Sequence, residues 1–264
     1  MNGDGVIYLQ LWQLLAAYLF VLLLLFIVKL RGMKKENEIL LATTRMTIQL
    51  ILVGYLLTFL FERDNYIFTV LVIIVMQVFA IYNIYGRVDK RINKELKKVI
   101  GLSMVIGTLA SLFYFILVVI GLRPWYDPRY FIPIAGMLIG NSMTGISLGV
   151  ERLVSGFKSN HDQVEAALMF GATPKRAVND LVNEAFNAAI IPTINSMMGM
   201  GIIFLPGMMT GQILSGLSPL TAIEYQIAIM LGILGSVSLT VIIFVTLGYK
   251  TFFNERAQII KGDK

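Results

Sequence analysis

The sequence contains no cysteine and a single histidine, His161. The first absence excludes a disulfide framework and thiolate metal sites, and the second excludes multi-histidine metal motifs. Charge is scarce as well. Asp, Glu, Lys and Arg make up 14% of the 264 residues, against about 25% in ordinary soluble domains. There is no GxxxxGK[ST] phosphate loop with which the chain could power itself. No Ser/His/Asp set and no paired carboxylates occur in an apolar stretch, which argues against an intramembrane enzyme. No internal repeat is strong enough to indicate an inverted-repeat transporter. What the chain has in excess is apolar surface: 57% hydrophobic residues and a mean hydropathy of +0.76. No soluble core of this size buries so much, so the composition defines an integral membrane protein.

A helix needs roughly 20 mostly apolar residues to cross about 30 Å of hydrocarbon. Seven stretches meet that length: Tyr8–Val28, Ile39–Phe61, Ile67–Tyr85, Val99–Gly121, Phe131–Val150, Ala188–Leu214 and Ala222–Leu247. Positive charge orients them. Segments 29–35, 87–98, 151–187 and the tail after 247 hold eighteen of the 22 Lys and Arg. The alternate loops hold only Arg63, Arg123 and Arg129, with Arg45 inside the second stretch. Such asymmetry marks the basic side as cytoplasmic. The expectation is an all-α polytopic protein of the cell membrane with about seven spans, its N-terminus outside and its C-terminus in the cytoplasm.

The one long connection, 151–187, reads as ordered. Ser159-Asn160-His161-Asp162 has the form of a capping box variant, opening a short helix that Gly171 stops. Thr173 and Pro174 read as the cap and first turn of a second helix. There Ala177, Val178, Leu181, Val182, Ala185, Phe186, Ala189 and Ile190 share one face, and Lys175, Arg176, Asn179, Asp180, Asn183, Glu184 and Asn187 share the other. A surface-lying helix carries Lys and Arg along its polar face, whereas this face mixes acids, amides and bases. A docking element for a soluble partner fits better than a membrane-surface helix. Glu151 and Arg152 read as a pair at the membrane interface.

The sixth stretch is expected to be broken at Pro192 and Pro206, with glycines at 199, 201, 207 and 211. Breaks at membrane depth occur where freed backbone is buried in protein or lines a wet cavity, as in the discontinuous helices of many transporters. Asn195, Ser196, Thr210 and Gln212 are costly in lipid and are candidates for a pathway, with Pro206 at the break itself. Met197, Met198, Met208 and Met209 offer soft thioethers, or simply fill irregular space. In the fifth stretch Asn141, Ser142 and Thr144 lie between two small-xxx-small seams, GMLIG and GISLG. Glu224 and Gln226 read as rim residues just beyond the outer end of the sixth stretch. By themselves these residues also allow a self-sufficient channel or secondary transporter.

Four segments carry a resemblance: NSMTGISLGVERL at 141–153, EAALMFGATP at 165–174, PTINSMM at 192–198 and LPGMMTGQILSG at 205–216. With the following P..A..YQI..M they resemble the FetB-type ABC-transporter permeases, a group of bacterial iron exporters and plant subunits linked to aluminium tolerance. Gly199-Met200 departs from the small branched residues expected there. The resemblance implies that residues 1–264 form one ABC-transporter membrane domain, with 151–187 as its cytoplasmic coupling segment. It implies Glu165, Ala166, Ala167, Gly171, Ala172, Thr173 and Pro174 as the contact with a cytoplasmic ATPase. ATP and Mg would sit on that separate chain and no cofactor on this one. A second copy of the chain and the lipid bilayer complete the implied partners. The cargo implied is iron or a related metal cation, although the plant relatives also point to non-metal cargo.

Overall fold

The computed structural model describes residues 9–62, 65–88 and 92–260. Tyr8, at the head of the first expected span, lies outside the described residues, as do Arg63, Lys90, Arg91, Lys261 and Lys264. Two compact units are present: Met1–Asp64 with Gly211–Ser218, and Asn65–Thr210 with Pro219–Lys264. Every named element among the described residues is a helix.

In the first unit α1 (Leu11–Ala17) and α2 (Leu19–Leu30) form one apolar run through Tyr18. A turn with positive φ at Gly32 and Lys34 leads to α3 (Glu36–Glu62). The Tyr18 hydroxyl meets Thr47 Oγ1 across this antiparallel pair. Val28 and Leu60 are the buried side chains of these three helices, which is the pattern of helices whose outer faces meet lipid rather than protein.

The second unit holds the core. It comprises α4 (Tyr66–Arg87), α5 (Lys94–Tyr114), α6 (Pro128–Ser159), α7 (His161–Met169), α8 (Pro174–Ala177), α9 (Asn179–Gly199), the start of α10 (Gly207–Leu214), and α11 (Pro219–Gly248). Asparagine and aspartate begin the long helices: Asn65 accepts from Ile67 N, Asn93 from Leu96 N and Asp127 from Arg129 N, as N-caps do. A π-helical turn, Phe115–Ile120, extends α5 and ends at Gly121 with φ +66°.

Side-chain pairings give the directions. Tyr85 of α4 donates to Lys97 O of α5, and Thr69 at the other end of α4 donates to Tyr126 O. Leu96 lies beside Gly248, and Phe115 beside Gly232, so α5 and α11 are antiparallel. Ser142 pairs with Ser236 at 3.0 Å and Phe157 stacks on Phe252 at 4.0 Å, so α6 and α11 run the same way. Gly156 faces Leu181 while Gly145 faces the Ala189 carbonyl, so α9 runs back against α6. The chain thus leaves α9 at the end of the unit where α6 and α11 begin.

Close approach depends on missing side chains. A Cβ on Gly107 would lie 2.6 Å from Thr240 Cα, and one on Gly232 would lie 2.8 Å from the Phe115 ring. Small residues at such points let membrane helices pack backbone to backbone.

Among the described residues six helices are long and apolar enough to cross a bilayer: Leu11–Leu30, Glu36–Glu62, Tyr66–Arg87, Lys94–Ile120, Pro128–Ser159 and Pro219–Phe252. Stretch 188–214, the remaining one of the seven expected, does not form such a helix. It is divided between α9, whose first half is polar, and α10. Pro192 does not break it. The ring sits on an exposed face of a continuous α9, and the Ser196 hydroxyl donates to the Pro192 carbonyl at 2.9 Å. The break falls at 200–206, where Gly201 has φ +82° and Gly201 N donates to Phe204 O.

Charge in the second unit separates by end. Arg87, Lys94, Lys97, Lys98, Arg152, Lys158, Lys175, Arg176, Lys250 and Arg256 gather where α4, α6 and α11 finish. Arg123 and Arg129 lie at the opposite end.

Candidate coupling and translocation site

At the basic end α6 passes into a helix-turn-helix. The expected capping box is absent. Asn160 is the N-cap position of α7 without a side-chain cap, and its amide instead donates to Gly156 O of α6 at 3.0 Å. His161 starts α7 as expected. Its Nδ1 lies 3.5 Å from Asp162 and 3.8 Å from Glu165, and the three ligand atoms fall within 4.8 Å of one another. These are the described residues that could hold a cation at this end, and two of the three are exposed.

Val164 is buried, whereas Glu165 and Ala166 are exposed and Ala167 is half-buried. Gly171 takes φ +84°, the left-handed conformation that ends a helix with least strain on glycine. Gly171 N then donates to Leu168 O and Ala172 N to Ala167 O. Thr173 and Pro174 occupy the cap and first position of α8, as expected, though the Thr173 hydroxyl makes no cap bond. The expected single helix is divided at Val178 into α8 and α9.

The face assignment along 175–190 matches the structure. Val178, Leu181, Ala185 and Ala189 are buried, and Lys175, Arg176, Asn179, Asp180, Asn183, Glu184 and Asn187 are exposed. Arg152 does not pair with Glu151. It reaches across to Glu184 of α9 at 2.8 Å, because its helical position faces α9.

Sequence reasoning missed two features here. Met169 and Phe170 are 79% and 92% exposed at the tip of the turn, and the sign of it was two large apolar residues directly before a helix-ending glycine. The tail also folds back: Phe253 bridges to Ile259, Phe157 packs against Phe252 and Phe253, and Asn93 donates to Thr251 O. A cavity of about 340 Å³ lies between Thr173–Lys175 and the tail residues Tyr249 to Ala257.

The candidate pathway residues do not form one cluster. On α6 Asn141 and Thr144 are exposed, whereas Ser142 is wholly buried against Ser236 and serves as a helix–helix contact. Asn195, Ser196 and Met198 lie exposed on α9, while Met197 is half-buried against the core. Asn141, Thr144 and Ser196 each bond a carbonyl of their own helix, and Thr210 bonds the Pro206 carbonyl just before α10. That half-satisfies polar groups facing outward. Pro206 precedes α10, Met208 and Thr210 are half-buried, and Met209 is buried. Gln212 belongs to the other unit, and its Oε1 is buried without a hydrogen-bond partner. Gln226 is not a rim residue. It is buried in α11 with Oε1 unpartnered, while Glu224 remains exposed.

Six apolar crossing-length helices, a small-residue core and a basic end define a helical multi-pass membrane protein. The profile of UPF0014, described as an uncharacterised protein family, matches residues 11–253, and the chain belongs to that family. It is 38% identical to the UPF0014 membrane protein slr1647 of Synechocystis, covering 87% of this chain and 88% of the relative. It is 36% identical to the probable iron export permease protein FetB of Escherichia coli, over 85% of each chain. It is 35% identical to Protein ALUMINUM SENSITIVE 3 of Arabidopsis thaliana, covering 92% of this chain and 88% of that one. No solved structure matches.

Proposed function

We propose that this chain is the permease subunit of an ABC transporter that exports iron or a related metal cation. In this reading it works as two copies with a separate cytoplasmic ATPase. The basic end is cytoplasmic, and the chain crosses seven times with α9 as the sixth crossing. The pairings of α9 with α6, and of α6 with α11, support that count, because α11 starts at the end where α9 finishes. The name of the Escherichia coli relative supports the permease role and the cargo.

The observation that carries the proposal is the exposed tip at the basic end. Glu165, Met169 and Phe170 project from a turn fixed by Gly171, and beyond α8 the chain continues as α9 with one face buried against α6. Large exposed apolar residues rimmed by charge mark a protein contact. A push on 165–174 is thereby delivered along α9 to the break at 200–206. Asn141 and Thr144 of α6 and Asn195 and Ser196 of α9 supply weak oxygen and amide contacts, which suit a path that must release its cargo.

The test is purification of the tagged chain with its co-purifying ATPase, followed by measurement of hydrolysis with and without ferrous iron. Glu165→Lys is expected to cut ATPase stimulation about tenfold with the membrane subunit still folded, since the side chain is exposed. Stimulation at the wild-type level would remove the docking assignment. An ATPase that co-purifies but ignores metals would keep the permease and remove iron.

A further inference from the structure

The fold leaves Glu151 without the partner that its sequence neighbour offers. Arg152 turns to Glu184 of α9 at 2.8 Å. The Glu151 carboxylate is exposed and makes no hydrogen bond or ion pair among the described residues. It stands free at an end of the molecule crowded with Lys and Arg.

Its place on α6 relates it to the candidate pathway. Glu151 follows Thr144 by two helical turns, roughly 10 Å at 1.5 Å per residue. At about 100° per residue, Asn141, Thr144, Leu148 and Glu151 fall within roughly 80° of one another around the axis. Burial traces the same strip. Asn141, Thr144 and Glu151 are exposed and Leu148 is half-buried, whereas Ser142, Gly145, Gly149 and Val150 beside them are buried.

The strip runs between two neighbouring helices. On one side of it Gly136 lies against Met76 of α4, and on the other Gly145 and Gly149 lie against Ala189 of α9. Asn195 is six residues beyond Ala189 on a helix running the opposite way, about 9 Å along the axis, which brings it level with Asn141. It also follows Glu184 by three turns on the same face of α9, the face that reaches Arg152. Asn141 and Asn195 therefore stand at one level of the furrow, and Glu151 stands nearer its basic end.

The electrostatic consequence rests on the function proposed above, in which a cation enters from the basic end. Lys and Arg gathered there repel it, so entry needs a carboxylate that is not already neutralised. Glu95 and Glu184 are held by Lys98 and Arg152, and Asp162 and Glu165 sit beside His161 on α7. Glu151 is both free and on the strip that carries Asn141 and Thr144. We infer that Glu151 is the capture residue of the pathway, binding the incoming metal cation through its carboxylate before Thr144, Asn141 and Asn195 receive it. Carboxylate oxygens suit hard divalent ions, and a single one holds weakly enough to let the ion go on.

The test is ATP-driven uptake of ferrous iron into inside-out membrane vesicles that contain the chain and its ATPase, measured against iron concentration. Glu151→Gln is expected to raise the half-saturating concentration about tenfold, the loss of one charge-assisted contact, with the maximal rate near that of the wild type. Glu151→Asp keeps the charge and restores most of the affinity. Added salt narrows the gap between the wild type and Glu151→Gln, because attraction by an exposed carboxylate is screened. Glu255→Gln removes the same charge from the exposed tail, off the strip, and leaves half-saturation unchanged.

An unshifted half-saturation in Glu151→Gln overturns the inference. So does an equal shift in Glu255→Gln, which reduces the effect to general surface charge. A fall in maximal rate at unchanged half-saturation makes Glu151 a structural or coupling residue and overturns it as well. Wild-type vesicles that take up no ferrous iron overturn the cargo reading and this inference together, whereas wild-type uptake with an unshifted Glu151→Gln overturns the inference alone.

Discussion

Helix α6 has two unlike sides. Toward α11 it is dry: Ser142 is buried against Ser236, and a Cβ at Gly145 would lie 2.8 Å from Val237. Elsewhere on α6 Asn141 and Thr144 are exposed, as are Asn195 and Ser196 on α9. At the basic end these two helices meet through Gly156 against buried Leu181 and through the half-exposed Arg152–Glu184 pair. Interdigitated small residues give a fixed contact, because any displacement forfeits many dispersion contacts at once. A polar, half-satisfied face costs little to rearrange. On the proposed function α4, α5, α6 and α11 act as a frame, and α9, seated on α6 at Gly145, Gly149 and Gly156, is the element that transmits the ATPase's motion.

The frame is easiest to break at its tightest point. Gly107→Leu forces a side chain into the Thr240 backbone, since even a Cβ would lie 2.6 Å from its Cα. Overpacking of this kind costs about 3 kcal/mol or more when the obstacle is backbone. The variant is expected to lose its monodisperse peak on size-exclusion chromatography in detergent, or to melt far below the wild type. Melting within two or three degrees of the wild type would mean that α5 and α11 are not in fixed contact.

The exposed polar residues should behave in the opposite way. Asn141→Leu combined with Asn195→Leu replaces exposed polar groups, which at surface positions shifts stability by about 0.5 kcal/mol or less. On the proposed function, however, it removes two weak ligands from the path. Metal efflux from cells or vesicles is expected to fall several-fold while the melting temperature stays put. A parallel loss of both would return these residues to packing.

Much of this contrast is legible in the sequence, but unevenly. The buried face of α9 follows from helical period alone, since Leu181, Ala185 and Ala189 recur at four-residue steps. The basic and non-basic ends follow from counting charge. Asn141, Ser142 and Thr144 read alike in the sequence, and only the position of Gly145 against Val237 separates the buried one from the exposed two. Pro192 misleads because its missing N–H leaves only the Ala188 carbonyl, four residues back, without its helical donor, and α9 runs on through it with the ring exposed. The Gln77–Thr108 hydrogen bond, joining α4 to α5 in the core, and the Arg152–Glu184 pair, 32 residues apart in sequence, depend on tertiary placement that no local pattern encodes.

The smallest expected effect tests how α9 is held. Arg152 and Glu184 are each about half exposed, with side-chain exposures of 53% and 51%, and such pairs contribute about 0.2–1 kcal/mol. Glu184→Gln should therefore change the melting temperature little in detergent at physiological salt. On the proposed function the pair ties α9 to α6 next to the turn that meets the ATPase. Its loss should shift the balance between conformations rather than unfold either one. Basal ATPase activity of the assembled complex is the sensitive readout, and the change should be larger at low ionic strength, where exposed charges are less screened. Exchanging the partners, Arg152→Glu with Glu184→Arg, is expected to restore the wild-type value. If the exchange and the single variant behave alike, the pair is a surface contact only, and what restrains α9 against α6 is the buried seam of Gly145, Gly149 and Gly156.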